Sequence, residues 1–242
     1  MAPGVKLKME VLAIIPARGG SKGIKRKNLV DFLGKPLVAH SIEHALGCPN
    51  ITRTIVSTDD DEIAGVSRSF GAEVPFIRPP ELAQDDVLDW PVFVHALEFL
   101  AKKENYSPEI IVHLRPTTPY RKPEWIAEAV ALLLEHPKAH SVRSVSAPEK
   151  HPYRMFKIDA EGYLEPIMKH EHPEPYLLRR QDLPKVYYYN CVIDVTRPST
   201  IFKRKSMTGN RILPYVQNPE QVFDIDSSRD LVVAQFLVKN VL

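Results

Sequence analysis

The chain has 242 residues, of which 44% are hydrophobic and 26% are charged, and its formal net charge is +2. A chain of this length can bury a substantial core, so we expect a single α/β domain over residues 1–242 with at most a small appendage. The nearly balanced charge gives no indication of bulk nucleic-acid binding. Cys48 and Cys191 are too few for a disulfide framework or a structural zinc site, which favours a reducing, cytoplasmic location.

No targeting or membrane-spanning segment is predicted. Residues 1–10 lack the apolar core of a signal peptide. No run approaches the roughly 18 consecutive apolar residues that a spanning helix needs. We therefore expect a soluble protein with neither a membrane nor a nucleic acid as its partner.

Strand-like and helix-like stretches alternate along the first 145 residues. Apolar runs rich in β-branched residues predict strands, and apolar residues at helical spacing predict helices. Strands are predicted at 11–15, 53–57, 109–114 and 141–145, with a further extended piece at 73–77. Helices are predicted after Pro36 and at 60–70, 90–103 and 123–135, the second of them capped by Thr58 or Asp59. This alternation predicts right-handed βαβ crossovers and a doubly wound, mainly parallel sheet.

The stretch IIPARGGSKGIKRKNL, at residues 14–29, combines glycines with positive charge directly after the first strand. Its glycines permit close approach of the backbone to a ligand. Its basic side chains are Arg18, Lys22, Lys25, Arg26 and Lys27. Backbone N–H groups and cations together suit a polyphosphate, with Ser21 as an additional donor. Neither the Walker pattern nor the GxGxxG fingerprint is present, so a solvated basic loop or a nucleic-acid patch stays open as an alternative.

Three polar loops follow predicted strands, starting at Ala17, Ser57 and Arg115. Ligands of open α/β sheets bind beyond the carboxyl ends of the strands. We therefore expect these loops to converge on one site.

The segment FDIDSSRDL, near the end of the sequence, places two carboxylates two residues apart. In an extended backbone Asp224 and Asp226 point the same way and suit one Mg²⁺ ion. Asp230 lies on a helix that Ser227 or Ser228 would cap. An acidic strand end with a helix cap explains the segment taken alone. The basic loop favours a metal site, because polyphosphate chemistry needs a divalent ion.

The pattern changes after residue 145. Prolines, charged residues and short extended runs such as YRMFKID and YLEPIM occupy about residues 146–186, before a strand predicted at VYYYNCVIDV. We interpret this region as a small lobe inserted into the sheet domain. The lobe could pack within its own subunit or against a second copy.

Together these motifs resemble the acylneuraminate cytidylyltransferases, which are CMP-sialic acid and CMP-nonulosonate synthetases. The order of motifs matches: IIPARGGSKGIKRKNL, HSIEHAL, STDDDEIA, FIRPPELA, LRPTTPYR, YYNCVIDV and FDIDSSRDL. The resemblance covers residue 11 to about residue 235. It implies a Rossmann-like nucleotidyltransferase fold and a homodimer formed through the lobe. It also implies a reaction in which the anomeric hydroxyl of a 2-keto sugar acid attacks the α-phosphorus of CTP, with Mg²⁺ as cofactor and pyrophosphate as leaving group.

The resemblance also implies roles for individual residues. The catalytic residues, which stabilise charge on the phosphates, would be Lys22, Lys27 and Arg18. The nucleotide-binding residues would be Ala17, through its backbone groups, Ser21, Asn28, Arg78 and Asp89. The sugar-binding residues would be Arg115, Arg154, Arg180, Tyr188 and Asn190. The metal ligands would be Asp224 and Asp226, and no general base is assigned.

Four positions depart from the usual residues of this family. Arg115 replaces a glutamine, Tyr188 an arginine, Cys191 a glycine and Asp89 a serine. These differences leave the sugar open among N-acetylneuraminate, deaminated and legionaminic-type acids. Two other functions also stay open, namely nucleotidyl transfer to another sugar acid or a sugar phosphate, and nucleotide binding without catalysis.

Overall fold

The structure is a computed structural model in which residues 9–241 are described. Residues 1–8, where we predicted no signal peptide, lie outside the described residues. The strands are β1 (Val11–Pro16), β2 (Asp31–Phe32), β3 (Lys35–Pro36), β4 (Arg53–Ser57), β5 (Ile110–His113), β6 (Ser141–Ser146), β7 (Phe156–Ile158), β8 (Leu164–Pro166), β9 (Tyr188–Thr196) and β10 (Ile212–Val216). The α-helices are α1 (Leu37–Leu46), α2 (Asp61–Ser69), α3 (Asp89–Glu104), α4 (Pro123–Glu135), α5 (Pro198–Arg204) and α6 (Ser228–Asn240).

Six strands form the central sheet, in the order β10-β6-β9-β5-β1-β4. β1 pairs in parallel with β4 and β5, and β10 pairs in parallel with β6. β9 runs antiparallel between β5 and β6. The predicted fold class, a doubly wound and mainly parallel sheet, is confirmed. The edge strand β10 was not predicted, and residues 73–77 contribute only isolated bridges at Glu73 and Ile77.

β1 forms the centre of the core because both of its faces are covered. Ala13 and Ile15 pack in a cluster with side chains of α1, α2 and α4. Leu12 and Ile14 pack in a second cluster with side chains of α3 and with Ile201 of α5. A strand that is buried on both faces reads as an uninterrupted apolar run, as residues 11–15 do. The glycine-rich loop therefore starts from a fixed point.

Helices α2 and α6 begin with side-chain caps. Asp60 caps α2 by accepting a hydrogen bond from the Ile63 N–H at 2.9 Å, so the prediction of Thr58 or Asp59 as the cap was wrong. The Thr58 hydroxyl instead accepts from the Asp60 N–H, and Asp59 bonds a different loop. Ser227 caps α6 in a capping box with Asp230, as predicted.

Residues 146–186 carry a two-stranded antiparallel sheet of their own, β7 paired with β8. Several apolar side chains on and near this hairpin are exposed to solvent. Ile158, Tyr163, Leu164 and Leu177 are 72%, 69%, 66% and 69% exposed. Within the part of the chain described, no helix is both long and apolar enough to cross a membrane.

Candidate active site

A cavity of about 520 Å³ opens at the carboxyl ends of β1 and β5. Three segments and one acidic residue form its wall. They are the loop after β1 with Arg18, Ser21, Lys22, Gly23, Lys27 and Asn28; residues 78–92 with Arg78, Asp85 and Asp89; the loop after β5 with Arg115, Pro116 and Thr117; and Asp226. The loops after Ala17 and Arg115 thus converge, as the rule for open α/β sheets predicted, whereas the loop after Ser57 does not line the cavity and contacts the glycine-rich loop through Asp59.

The acidic segment touches the glycine-rich loop directly. Ile225 is buried against Phe32 and Leu37, which turns the carboxylates on either side of it outward. The Ile225 N–H donates to the Thr117 carbonyl oxygen at 2.8 Å. Lys27 Nζ lies 2.9 Å from Asp226 Oδ1.

Gly23 is required where the two segments meet. A Cβ atom at this position would collide with the backbone carbonyl oxygen of Asp226. The basic loop and the acidic segment therefore face one cavity, and only glycine allows them to approach this closely.

The glycine-rich loop is braced against the start of α2. The Gly19 N–H donates to Asp59 Oδ1 at 3.0 Å. Arg26, in the left-handed conformation with φ of 53°, pairs with Asp60 at 3.0 Å and Glu62 at 2.7 Å. The run of three aspartates thus shapes the loop and caps a helix.

Two cations of this loop share one carboxylate. Arg18 Nη2 lies 2.7 Å from Asp85 Oδ1, and Lys22 Nζ lies 2.6 Å from Asp85 Oδ2. The hydrogen bond from Lys22 and the nearby charge of Arg18 hold the pKa of Asp85 below its usual value. Sequence reasoning missed Asp85. The available signal was the acidic pair QDD inside a segment expected to contact the nucleotide.

Arg78 is a cation buried in the cavity wall without a carboxylate partner among residues 9–241. It is 4% exposed and donates to the hydroxyl of Ser57 at 3.1 Å and to the Ser57 carbonyl oxygen. Burial lowers its pKa to about 10, so it stays protonated at neutral pH. A buried cation with no counterion favours an anionic ligand beside it.

Asn28 and Ala17 differ in whether they can contact a ligand in the cavity. Asn28 lines the cavity and its amide nitrogen donates to the Arg18 carbonyl oxygen at 2.8 Å. Ala17 is fully buried, and its N–H donates to the Ser57 carbonyl oxygen at 2.9 Å. Of the Ala17 backbone groups expected to contact the base, the N–H is not free because β4 already uses it, and the contact through the carbonyl group stays a prediction.

A network of ion pairs extends from Asp89. Arg115 bridges Asp89, at 2.6 Å, and Asp194, at 3.0 Å. Asp194 also accepts from Arg143 at 2.7 Å and from the Tyr189 hydroxyl at 2.6 Å. Burial opposes ionisation of Asp194, yet Arg115 and Arg143 hold its pKa below the usual value.

His113 lies next to Asp89 and Asp194 of this ion-pair network and is 1% exposed. Its ring packs against Phe93 with ring centroids 4.6 Å apart. Burial lowers its pKa to about 3, so it is neutral and serves as packing.

Arg121 fixes the loop that carries Arg115 and Thr117, although sequence reasoning gave it no role. It is 3% exposed and donates to the Val192 carbonyl oxygen at 2.7 Å and to the Thr118 hydroxyl at 2.6 Å. Its place in the LRPTTPYR motif was the available signal. A buried arginine bonded to backbone and hydroxyl oxygens holds this turn in one shape.

Several predicted sugar-binding residues lie outside the cavity. Arg154 and Arg180 are exposed on the lobe and donate to the carbonyl oxygens of Leu178, at 2.7 Å, and Pro148, at 3.0 Å. Asn190 is 2% exposed, and its amide nitrogen donates to the Ser146 hydroxyl at 2.9 Å. Asn190 therefore joins strands within the sheet and has no surface with which to contact a sugar. Tyr188 is 40% exposed beside the acidic segment.

The predicted metal ligands suit a divalent cation. Burial and the negative charge of Asp226 raise the pKa of Asp224, against the opposing effects of Thr117 and Lys27. Two neighbouring carboxylates in this situation repel each other, and a hard cation removes that repulsion.

The fold and the cavity define an α/β nucleotidyltransferase: a mainly parallel sheet that holds a glycine-hinged cationic loop opposite paired carboxylates. A family model described as Cytidylyltransferase matches residues 12–211. The chain belongs to the cytidylyltransferase family, which confirms the resemblance seen in the motifs.

Relatives of similar length support this membership. The chain is 32% identical over 237 residues to a pseudaminic acid cytidylyltransferase of Campylobacter jejuni, covering 96% of this chain and 97% of the relative. It is 33% identical over 234 residues to a CMP-N,N'-diacetyllegionaminic acid synthase of Legionella pneumophila, with coverage of 96% and 97%. An N-acylneuraminate cytidylyltransferase of Escherichia coli is 30% identical, and the match covers 94% of this chain and 52% of that protein.

A solved structure shows the same fold. A CMP:2-keto-3-deoxy-manno-octonic acid synthetase complexed with CTP has a TM-score of 0.70 and 17% identity, with 96% of this chain and 100% of that chain covered.

Proposed function

We propose that the protein transfers CMP from CTP to the anomeric hydroxyl of a 2-keto sugar acid of the nonulosonate type, with release of pyrophosphate. The observation that carries this proposal is the contact between the two charged segments, where Gly23 and Lys27 meet Asp226 on one cavity. The acceptor class comes from the relatives, whose names specify pseudaminic, legionaminic and N-acylneuraminic acids.

The cavity supplies groups for each part of CTP. Lys22, Lys27 and Arg18 would neutralise the phosphates, with Ser21 as a short hydroxyl donor. Asn28 and Arg78 would contact the nucleotide where the cavity wall is buried. The protein's contribution is mainly positioning and charge stabilisation, because phosphorus chemistry gives it little covalent work.

Asp224 and Asp226 would hold Mg²⁺ as cofactor. The ion supplies charge neutralisation for the phosphate oxygens when it is bound. The Lys27 side chain is 15% exposed and lies next to Asp226, so the loop places a positive charge beside the proposed metal ligands.

The acceptor's carboxylate needs cations that Arg115 does not supply. Its charge is already balanced by Asp89 and Asp194, so its role is to shape the wall next to the acceptor. Arg154 and Arg180 form no ion pair within residues 9–241, but they lie on the lobe, away from the cavity. We propose that the lobe joins two subunits in a homodimer.

The apolar lobe surface provides the test of this dimer. Leu164→Asp, at a side chain 66% exposed, should dissociate the dimer without unfolding the chain. Light scattering measures the mass, and Glu161→Lys in the same hairpin turn is the control. A wild-type mass of one chain would contradict the dimer.

The activity test incubates the protein with CTP, Mg²⁺ and each member of a panel of nonulosonates and octulosonates, and follows pyrophosphate. We expect turnover with one acid or a few related acids, and none with CTP alone. A parallel series with ATP, GTP, UTP and sugar 1-phosphates separates this activity from other nucleotidyl transfers. No turnover with any 2-keto acid would contradict the proposal.

Both cysteines are free thiols, in keeping with the cytoplasmic location proposed from the sequence.

A further inference from the structure

Asp85 pairs with two cations of the glycine-rich loop, Arg18 and Lys22. Its carboxylate oxygens lie 2.7 Å from Arg18 Nη2 and 2.6 Å from Lys22 Nζ. The Lys22 side chain is 81% exposed and the Asp85 side chain is 45% exposed. Asp85 also lines the cavity. A polyphosphate that uses these cations must approach a carboxylate that already holds them.

The backbone around Asp85 is anchored separately from its side chain. Arg18 Nη1 donates to the Gln84 carbonyl oxygen at 2.8 Å, and the Gln84 amide donates to the Pro80 carbonyl oxygen at 2.8 Å. The Val87 N–H donates to the Gln84 carbonyl oxygen at 3.3 Å. These bonds keep the segment in place, so a rotation of the Asp85 side chain is enough to free Lys22 Nζ and Arg18 Nη2, while Arg18 Nη1 stays bonded to Gln84.

Asp85 differs from the other carboxylates near the loop. Asp226 pairs with Lys27 but belongs to the segment that would hold the metal ion, and Asp60 caps α2. Asp85 caps no helix within residues 9–241, and its neighbour Asp86 forms no ion pair among them. Its contacts are with the cations expected to bind phosphate.

We propose that Asp85 is an internal counter-anion that competes with the triphosphate for Arg18 and Lys22 and so determines the affinity for CTP. This inference rests on the phosphate-binding roles proposed above for these two residues. In the free protein the carboxylate relieves repulsion between the loop cations and holds Lys22 in place. On binding, the phosphates replace it, because their negative charges repel the carboxylate where both contact the same cations.

The test compares Asp85→Asn with Asp86→Asn, a neighbouring exposed carboxylate that forms no ion pair among the described residues. Calorimetry measures binding of CTP with Mg²⁺ and without sugar acid, so no turnover occurs. Because exposed ion pairs are weak, the Kd for CTP should fall by about 3- to 10-fold in Asp85→Asn. In Asp86→Asn it should stay within about twofold of wild type.

Two further ligands locate the effect. Inorganic triphosphate should show the same gain in Asp85→Asn, and cytidine should show none, because only the phosphates compete with the carboxylate. Thermal unfolding of the free variants checks that both remain folded.

The outcomes separate this inference from the function on which it rests. An unchanged CTP affinity in Asp85→Asn overturns the counter-anion role and leaves the proposed function standing. Weaker binding with a steeper Mg²⁺ dependence would make Asp85 a ligand of the ion and also overturns it. If the wild-type protein binds no CTP at all, the proposed function itself fails.

Discussion

The cavity and the lobe of residues 146–186 differ in how several of their cations are paired. In the cavity, Lys27, Arg18 and Arg115 each face a carboxylate of the same chain. On the lobe, Arg154 and Arg180 are exposed and donate only to carbonyl oxygens of the backbone. Cations with no acidic partner remain free for an anion from elsewhere, whereas paired cations are preorganised. These contacts place the proposed nucleotide half of the site within one chain, and under the proposed homodimer the lobe arginines would serve the sugar acid.

The largest effect is expected where the two charged segments meet. Gly23→Ala should lower kcat/KM by about 100-fold. The added Cβ would push the loop away from Asp226, and a misplacement of about 1 Å costs about this much in rate. Pyrophosphate release measures it. Gly20→Ala is the matched control, since its Cβ would meet no atom within 4 Å. Equal activity of the two variants would contradict the shared cavity.

Asp194→Asn should have the next largest effect, on stability. It removes the buried carboxylate that pairs with Arg115 and Arg143, which leaves Arg115 with Asp89 alone, and breaking such a buried pair costs about 3 kcal/mol. Urea unfolding measures the free energy. The lobe supplies the control, because Asp182→Asn breaks an exposed pair with Arg179 and should cost less than about 1 kcal/mol.

The same residue predicts a pH dependence. The folded pKa of Asp194 lies below its unfolded value, so its contribution is complete above about pH 4 and is lost as the pH falls through the folded pKa. Asp194→Asn should flatten the acid side of the stability profile. An unchanged slope below pH 4 would contradict the assignment of this ion pair.

A smaller effect is expected on the lobe. Arg154 is a predicted sugar-binding residue, so Arg154→Ala should raise the KM for the sugar acid by about tenfold, which corresponds to about 1.4 kcal/mol. The CTP affinity should stay unchanged. Steady-state kinetics and calorimetry measure the two quantities. Arg179→Ala is the control, because that arginine is already paired with Asp182. A loss of CTP affinity in Arg154→Ala would break the division between cavity and lobe.

The smallest effect is expected at Cys191, in β9 close to the cavity. Its φ of 63° is left-handed, which strains any residue with a Cβ. Cys191→Gly should raise the free energy of unfolding by about 0.5 kcal/mol, since relief of strain exceeds the flexibility that glycine adds to the unfolded chain. Cys191→Ser keeps the strain and should show no gain. Thermal unfolding compares the three proteins.

Much of the fold was predictable because its signals are local. The apolar run of β1 and the helical spacing in α1 and α4 each record which faces are buried. Ser227 is a recognisable cap for the same reason. β10 escaped prediction because Pro214 and the exposed Ile212 and Val216 are typical of an edge strand, which lacks a strong pattern.

The sequence by itself determined the alternation of strands and helices, the cationic glycine loop, and the outward pair of carboxylates on either side of Ile225. Each of these follows from neighbours in the chain, through burial, dihedral freedom or side-chain direction. Only the tertiary structure decided that Asp194 meets Arg143 and Arg115, that Asp85 occupies the loop cations, and that Arg154 lies outside the cavity. These contacts depend on β9 running antiparallel between β5 and β6, and on how loops distant in sequence pack. Strand register and loop packing are set by the energy of the whole core, which no short motif records.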